Sequence, residues 1–376
     1  MCTSTNGCSS MSNPTHVIGH DRVKSLLARG VLSDRSMPAW IFGGPAGVGK
    51  CTTATVLAGL VVDPETTQDA IDSFRPLADS RSGTLHQAGT HPDIHLVNKE
   101  LALESPIREV RERKLRTIPV AVLRQQVIGG VVDSHSFDGP AYVKPYHGHA
   151  KVFIIDEAEL LGTEAQNLLL KTLEEPPPNT YFILVTTRPD SLLPTIRSRC
   201  QMAMFGTLDD EEMGEWIAQT DLEADPDELE WAMRFAEGSP GRVKASIDEG
   251  LHAWFESLAP MIDQLMDGRF PDALASEMTR VIEESATAAE KADSSTSKEA
   301  AGQRATRLLV SMIGFQLREQ LHRSIDDQAR CERLAGAVEV LVRAEQQIAS
   351  NVNRKLALSG LASNLFHALA PAGSAR

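Results

Sequence analysis

Gly44, Gly49 and Lys50 stand at the G-x-x-x-x-G-K spacing of a phosphate-binding loop, within Ile41-Phe42-Gly43-Gly44-Pro45-Ala46-Gly47-Val48-Gly49-Lys50-Cys51-Thr52. Glycines such as Gly44, Gly47 and Gly49 let the backbone curl until successive N–H groups converge on one anion. The helix that starts there adds partial positive charge. Lys50 would reach the terminal phosphates of a nucleotide. The next position usually carries a Ser or Thr hydroxyl that binds magnesium, and here it is Cys51. A thiol is a soft, poor ligand for a hard cation. Thr52 does not simply replace it, because on a helix it points about 100° away. The cradle from Gly44 to Thr52 is therefore expected to hold phosphates well and magnesium weakly.

A second set of candidate groups closes the apolar run Lys151-Val152-Phe153-Ile154-Ile155-Asp156-Glu157. Such a run reads as a buried parallel strand, and ligands of parallel sheets lie beyond the carboxyl ends of the strands. Asp156 would face the loop and hold magnesium, directly or through water, and Glu157 would polarise an attacking water. The alternative is an acidic cap for the following helix. Tyr181 to Thr187 reads as a third buried strand. Thr186 and Thr187 stand at its polar end, where either could cap the strand.

The elements that position these groups can be read around them. Val23, Leu26, Leu27 and Val31 predict a helix before the loop, and Val56, Leu57 and Leu60 one after it. Residues 63–90 are polar and show no period. His91-Pro92-Asp93-Ile94-His95-Leu96-Val97 predicts a turn and a strand; His91 and His95 read as strand-face residues rather than a metal pair, having no acidic or cysteine partner at ligand spacing. Residues 99–116, with Arg108, Arg111, Arg113 and Lys114, read as a solvated loop or helix face, and Val120 to Val132 as an amphipathic helix. Ala165, Leu168, Leu169, Thr172 and Leu173 line one face of a helix over 163–175, stopped by Pro176-Pro177-Pro178. A short strand follows near Met202 to Phe205.

The 376 residues allow two or three domains. With 37 basic and 51 acidic side chains the net charge is −14, which disfavours non-specific DNA binding by the chain alone. No apolar run approaches the ~18 residues of a membrane span. Residues 1–13 read as a disordered leader without a signal-peptide pattern. Five scattered cysteines, with no C-x-x-C pair, fit the cytosol and argue against zinc or a disulfide framework.

Four motifs together resemble the bacterial clamp-loader ATPases of the AAA+ class: the phosphate loop, the Asp156-Glu157 strand, Leu169-Leu170-Lys171-Thr172-Leu173-Glu174-Glu175-Pro176-Pro177, and Ser198-Arg199-Cys200. The resemblance covers residues 17–250 well. It implies an α/β P-loop domain over 14–207, a helical lid over 208–250 and an all-helical collar over 251–376 through which five subunits form a ring. Within the collar, Trp254, Leu258, Met261, Ile262 and Leu265 recur at helical spacing. A polar stretch over 286–303 reads as loop or exposed helix, and two long helices follow it. The ending Arg343 to Asn353 resembles the family's collar.

The resemblance also implies roles. Arg199 would be an arginine finger reaching the γ-phosphate held by a neighbouring subunit; the alternative is a surface ion pair. Arg242, in Gly238-Ser239-Pro240-Gly241-Arg242-Val243, would touch nucleotide phosphates or be an ordinary arginine at a helix start, and Thr186 or Thr187 would be the polar residue that senses the nucleotide, or a strand-end cap. ATP is the implied nucleotide. The family's motor subunits carry a four-cysteine zinc module after the first helix, but Phe74 to Gly89 holds no cysteine, so no metal is expected. The implied protein is a non-motor stator. Its partners would be the motor (gamma/tau) and delta subunits of a hetero-pentameric ring and, through the complex, the sliding clamp and primed DNA. The rivals are an ATPase motor of the same family and a small-molecule phosphate-loop kinase; the kinase explains neither Ser198-Arg199-Cys200 nor the helical C-terminal third.

Overall fold

The computed structural model describes residues 16–31, 38–111, 117–147, 149–292, 298–349 and 353–371. The expected leader, Arg113 and Lys114, part of the polar stretch after residue 292, and residues 350–352 of the collar ending lie outside the described residues. The chain divides into two compact units: Met1–Asp221 with Glu237–Gly241, and Leu222–Ala236 with Arg242–Arg376. The segment 208–250 contributes to both.

In the first unit, α1 (Asp21–Val31) leads to β1 (Ala39–Gly43), the loop and α2 (Lys50–Val62). The short helices α3 (Gln68–Asp72) and α4 (Arg81–Gln87) precede β2 (Ile94–Val97). A 3-10 turn (Lys99–Glu104), α5 (Arg108–Arg111) and α6 (Val120–Leu123) come next, then a hairpin of β3 (Gly130–Val132) and β4 (His135–Phe137). β5 (Lys151–Ile155), α7 (Thr163–Glu174), β6 (Thr180–Thr186), α8 (Pro194–Arg197), β7 (Gln201–Met204) and α9 (Asp210–Gln219) complete the order.

The main sheet runs β2-β5-β6-β1-β7, every pairing parallel. Its strands are apolar on both faces because both faces are covered. Successive residues alternate between two cores, as the two-residue period of a strand requires. Ile41, Phe153, Ile155, Phe182 and Leu184 pack with α6 and α7 on one side. Trp40, Phe42, Val152, Ile154, Ile183 and Val185 pack with α1 and α2 on the other. Register sets the site: Gly43 pairs with Thr186, and Ile155 with Leu184. The phosphate loop, Asp156 and Thr186 therefore leave the sheet at one edge, with neighbouring strands about 5 Å apart.

Three local expectations are corrected. Residues 63–90 contain α3 and α4, which are too short to show a helical period; each starts on a side-chain cap, Thr67 and Ser80. The predicted helix over Val120 to Val132 ends at Ile128. There a π-turn closes with Gly129 N–H donating to Arg124 O, and Gly129 and Gly130 take φ of 79° and 104°, which turns the chain into the hairpin. His91 is not on a strand face: it is buried, and its Nε2 lies 2.8 Å from Ser82 Oγ. His95 does lie on β2, stacked on Phe153 at 4.6 Å, and burial lowers its pKa to about 4.

The second unit is helical throughout its elements: α10 (Pro226–Ala236), α11 (Pro240–Asp248), α12 (Leu251–Met266), α13 (Leu274–Ala292), α14 (Lys298–Arg323), α15 (Gln328–Ala349) and α16 (Arg354–Leu369), the first turn of α11 belonging to the first unit. Trp231 stacks on Phe235 at 5.1 Å, and both meet Phe315 edge-on, which ties α10 to α14. Among the described residues, no helix is long and apolar enough to cross a membrane.

Candidate nucleotide site and its outward arginine

The phosphate loop has the backbone its glycines predict. Gly44, Gly47 and Gly49 all take positive φ, at 144°, 76° and 95°. A Cβ on Gly44 would stand 2.4 Å from Phe205 O, so no other residue fits there. At Gly49 the same direction is open space. Lys50 is buried at the start of α2, and its ammonium donates to Gly44 O at 2.8 Å and to Pro45 O. Burial lowers its pKa, against the opposing pull of the Asp156 and Glu159 carboxylates. Three further groups brace the loop. His20 Nε2 lies 2.7 Å from Val48 O, Ser239 Oγ donates to Ala46 O at 2.9 Å, and Gly241 N–H donates to Gly47 O at 2.8 Å. A Cβ on Gly241 would come within 2.7 Å of Gly47 Cα, so this glycine lets the two backbones pack directly together.

Cys51 and Thr52 follow on α2, both half-buried. The hydroxyls of Thr53 and Thr55 are spent on the helix itself, donating to Gly49 O and Cys51 O. The cradle fits phosphate: curled amides, a helix start and a lysine meet at one point. The donor set fits magnesium poorly, since a thiol stands where a hydroxyl oxygen is needed. Among the described residues, no group of three or more His, Cys, Asp or Glu could hold a metal ion.

Asp156 leaves β5 toward the loop. Burial raises its pKa to about 6, and its Oδ1 accepts the Glu157 N–H at 2.9 Å. Glu157 sits in the left-handed region, φ 49°, and both its oxygens meet the Lys99 ammonium, at 2.9 and 2.6 Å. Thr187 donates its hydroxyl to Glu159 Oε1 at 2.6 Å, while Thr186 Oγ1 accepts from Arg188 N–H. Burial pushes the Glu159 carboxyl up, but hydrogen bonds from the two threonines and from backbone amides hold it below the usual range. Asp156, Glu159, Lys50 and Thr187 thus form one connected edge. Lys99 and Glu159 are absent from the sequence-based set; the signal for Glu159 was its place three residues past Asp156.

Arg199 lies just beyond α8, with a side chain 35% exposed. Its Nη1 donates to Thr195 O at 2.9 Å, and its Nη2 pairs with Glu174 Oε1 at 2.7 Å. Cys200 beside it is buried, and burial pushes its thiol up to about 12. In the helical unit Arg242 stacks over the Phe235 ring at 4.6 Å and donates to Ser311 Oγ at 3.3 Å.

Several known proteins resemble this chain. The DNA polymerase III subunit delta' of Escherichia coli (strain K12) is 32% identical over 169 residues, 44% of this chain and 42% of that protein. The subunit delta' of Pseudomonas aeruginosa is 31% identical over 207 residues, 54% of this chain and 53% of that protein. The DNA polymerase III subunit gamma/tau of Mycobacterium tuberculosis is 29% identical over 237 residues, 62% of this chain. This chain spans only 36% of that relative's length. A solved DNA polymerase III gamma subunit-related protein of Thermotoga maritima aligns with 92% of this chain and 99% of its own, at 18% identity and a TM-score of 0.44. The family model described as DNA polymerase III, delta subunit, matches residues 19–209. That match takes in the whole parallel sheet, the phosphate loop and Arg199, and over half the chain it settles the family: this chain belongs to the DNA polymerase III delta subunit family.

Proposed function

We propose that the chain acts as the delta-prime, stator subunit of a bacterial clamp loader. It would assemble with gamma/tau motors and a delta subunit in a hetero-pentameric ring, through the helices after residue 251. The ring would use ATP to open the sliding clamp and place it on primed DNA in the cytoplasm. In this reading Arg199 completes a neighbour's ATP site, and the chain's own loop binds ATP with little or no turnover. Glu157, were it used, would be the base for that turnover. Arg242 would meet nucleotide phosphates.

The observation that carries the reading is the half-exposed guanidinium of Arg199 in a chain whose loop has Cys51 at the metal position. A planar cation delivered to developing phosphoryl charge is worth about 10³–10⁵ in rate where it has been measured. The test is reconstitution with the motor and delta partners. Arg199→Ala is expected to cut the DNA-stimulated ATPase to a small but measurable residual rate while the ring still assembles. An unchanged rate refutes the trans role.

The second reading, a motor subunit, draws on Lys50, Asp156 and Glu157 all being in place and on the similarity to gamma/tau proteins. Magnesium-dependent ATPase of the purified chain separates the two. The stator reading expects almost none, with a rise in Cys51→Thr; substantial turnover by the unaltered chain favours the motor.

A further inference from the structure

We infer that Glu174 is the positioning residue for Arg199. The inference rests on the trans role of Arg199 proposed above. Glu174 is the last residue of α7, where the helix dipole is negative and a carboxylate is disfavoured. Pro176, Pro177 and Pro178 end the helix there, so the backbone position that carries the carboxylate is set by the chain. Arg199 is the cation that meets it, at 2.7 Å. On its other side the guanidinium donates to Thr195 O, a carbonyl of α8.

A guanidinium carries five N–H donors. Here Nη1 donates to Thr195 O and, at 3.5 Å, to Ser198 Oγ, and Nη2 meets Glu174, which leaves two N–H groups for an incoming anion. The side chain is therefore held by two separate elements, α7 and α8, with donors still to give. Arginine has many rotamers, and a finger that must be ordered at the moment of reaction loses rate to that ordering. A pair this exposed, at 35% and 47%, adds little to folding stability. Its consequence is orientation.

The experiment uses the reconstituted ring with the full-length chain. Glu174→Ala is expected to lower the DNA-stimulated kcat on the order of tenfold, with KM for ATP unchanged, because the contact is made in the transition state. Glu174→Gln, which keeps an acceptor oxygen at the same reach, is expected to recover most of the rate. Arg199→Ala with Glu174→Ala should be no slower than Arg199→Ala alone, since Glu174 acts only through the arginine. Thermal unfolding of Glu174→Ala should match the parent. A wild-type or raised rate in Glu174→Ala, or a further loss in the double variant, overturns the positioning role. A full rate in Arg199→Ala overturns instead the trans role on which it rests.

Discussion

Lys99 and Glu157, 58 positions apart, form a two-pronged ion pair with the shorter contact at 2.6 Å. Lys99 opens the 3-10 turn after β2, and Glu157 follows the end of β5, so the pairing of β2 with β5 brings them together. The side chains are 13% and 32% exposed, so the pair is partly shielded from water. Both carboxylate oxygens are taken up by the ammonium, so an attacking water would have to compete with Lys99 for Glu157. Lys99→Ala is expected to destabilise the chain by about 1–2 kcal/mol, the cost of a charged hydrogen bond discounted for exposure. A double-mutant cycle with Glu157→Ala, read by urea unfolding, should return a coupling of similar size. A coupling near zero would show the contact to be idle.

Asp156 makes stability depend on pH. Its folded pKa, about 6, lies above the ordinary aspartate value of 3.8, chiefly through burial. Between those two values the folded state binds the proton more tightly, so this group's contribution is greatest in acid. It declines as pH rises from about 4 to about 6, and above that it is a constant penalty. The gap corresponds to up to about 3 kcal/mol. Asp156→Asn keeps the acceptor for Glu157 N–H and cannot ionise. It is expected to equal the parent near pH 4 and exceed it at pH 7, measured as urea midpoints across that range. Parallel profiles for the two proteins would refute the assignment.

The apolar strands and the loop were legible because each is a contiguous signal: Ile41–Phe42, Val152–Ile155 and Phe182–Val185 admit no amphipathic helix, and the glycine spacing before Lys50 dictates a curl. The stop of α7 was equally plain in its three prolines. The hairpin was hidden because Ile128, Val131 and Val132 continue the helical spacing of α6; the adjacent Gly129 and Gly130 were the overriding signal. Lys99–Glu157, Glu174–Arg199 and Gly241–Gly47 were invisible for another reason. Each joins residues distant in the chain, through strand pairing or through packing no local pattern encodes.

Asp93 holds a surface segment from beneath. It is fully buried and accepts the N–H groups of Tyr146 at 2.7 Å and His147 at 2.8 Å, while Tyr146 itself is 85% exposed. Asp93→Ala leaves two amides without their charged acceptor and is expected to cost about 3 kcal/mol. Hydrogen exchange should quicken first at the amides of Tyr146 and His147. Equal protection in the variant would mean the segment is held by other contacts.

The cysteine-free stretch after α2 has a hydrogen-bonded hub. Ser80 Oγ donates to Asp63 Oδ2 at 2.5 Å and accepts Gly83 N–H at 2.8 Å, and Asp63 Oδ1 accepts Glu65 N–H. Asp63 is 1% exposed, so its carboxylate depends on these donors. Gly83 is required as well, since a Cβ there would lie 1.6 Å from Leu77 O. Ser80→Ala removes both a helix cap and a donor to a buried charge, and is expected to lower stability by about 2–3 kcal/mol. A metal chelator should leave the melting temperature of the parent unchanged, because among the described residues no group of three or more His, Cys, Asp or Glu stands there to hold a metal. A chelator-induced drop, with zinc detected in the purified protein, would transfer the role of the hub to a metal.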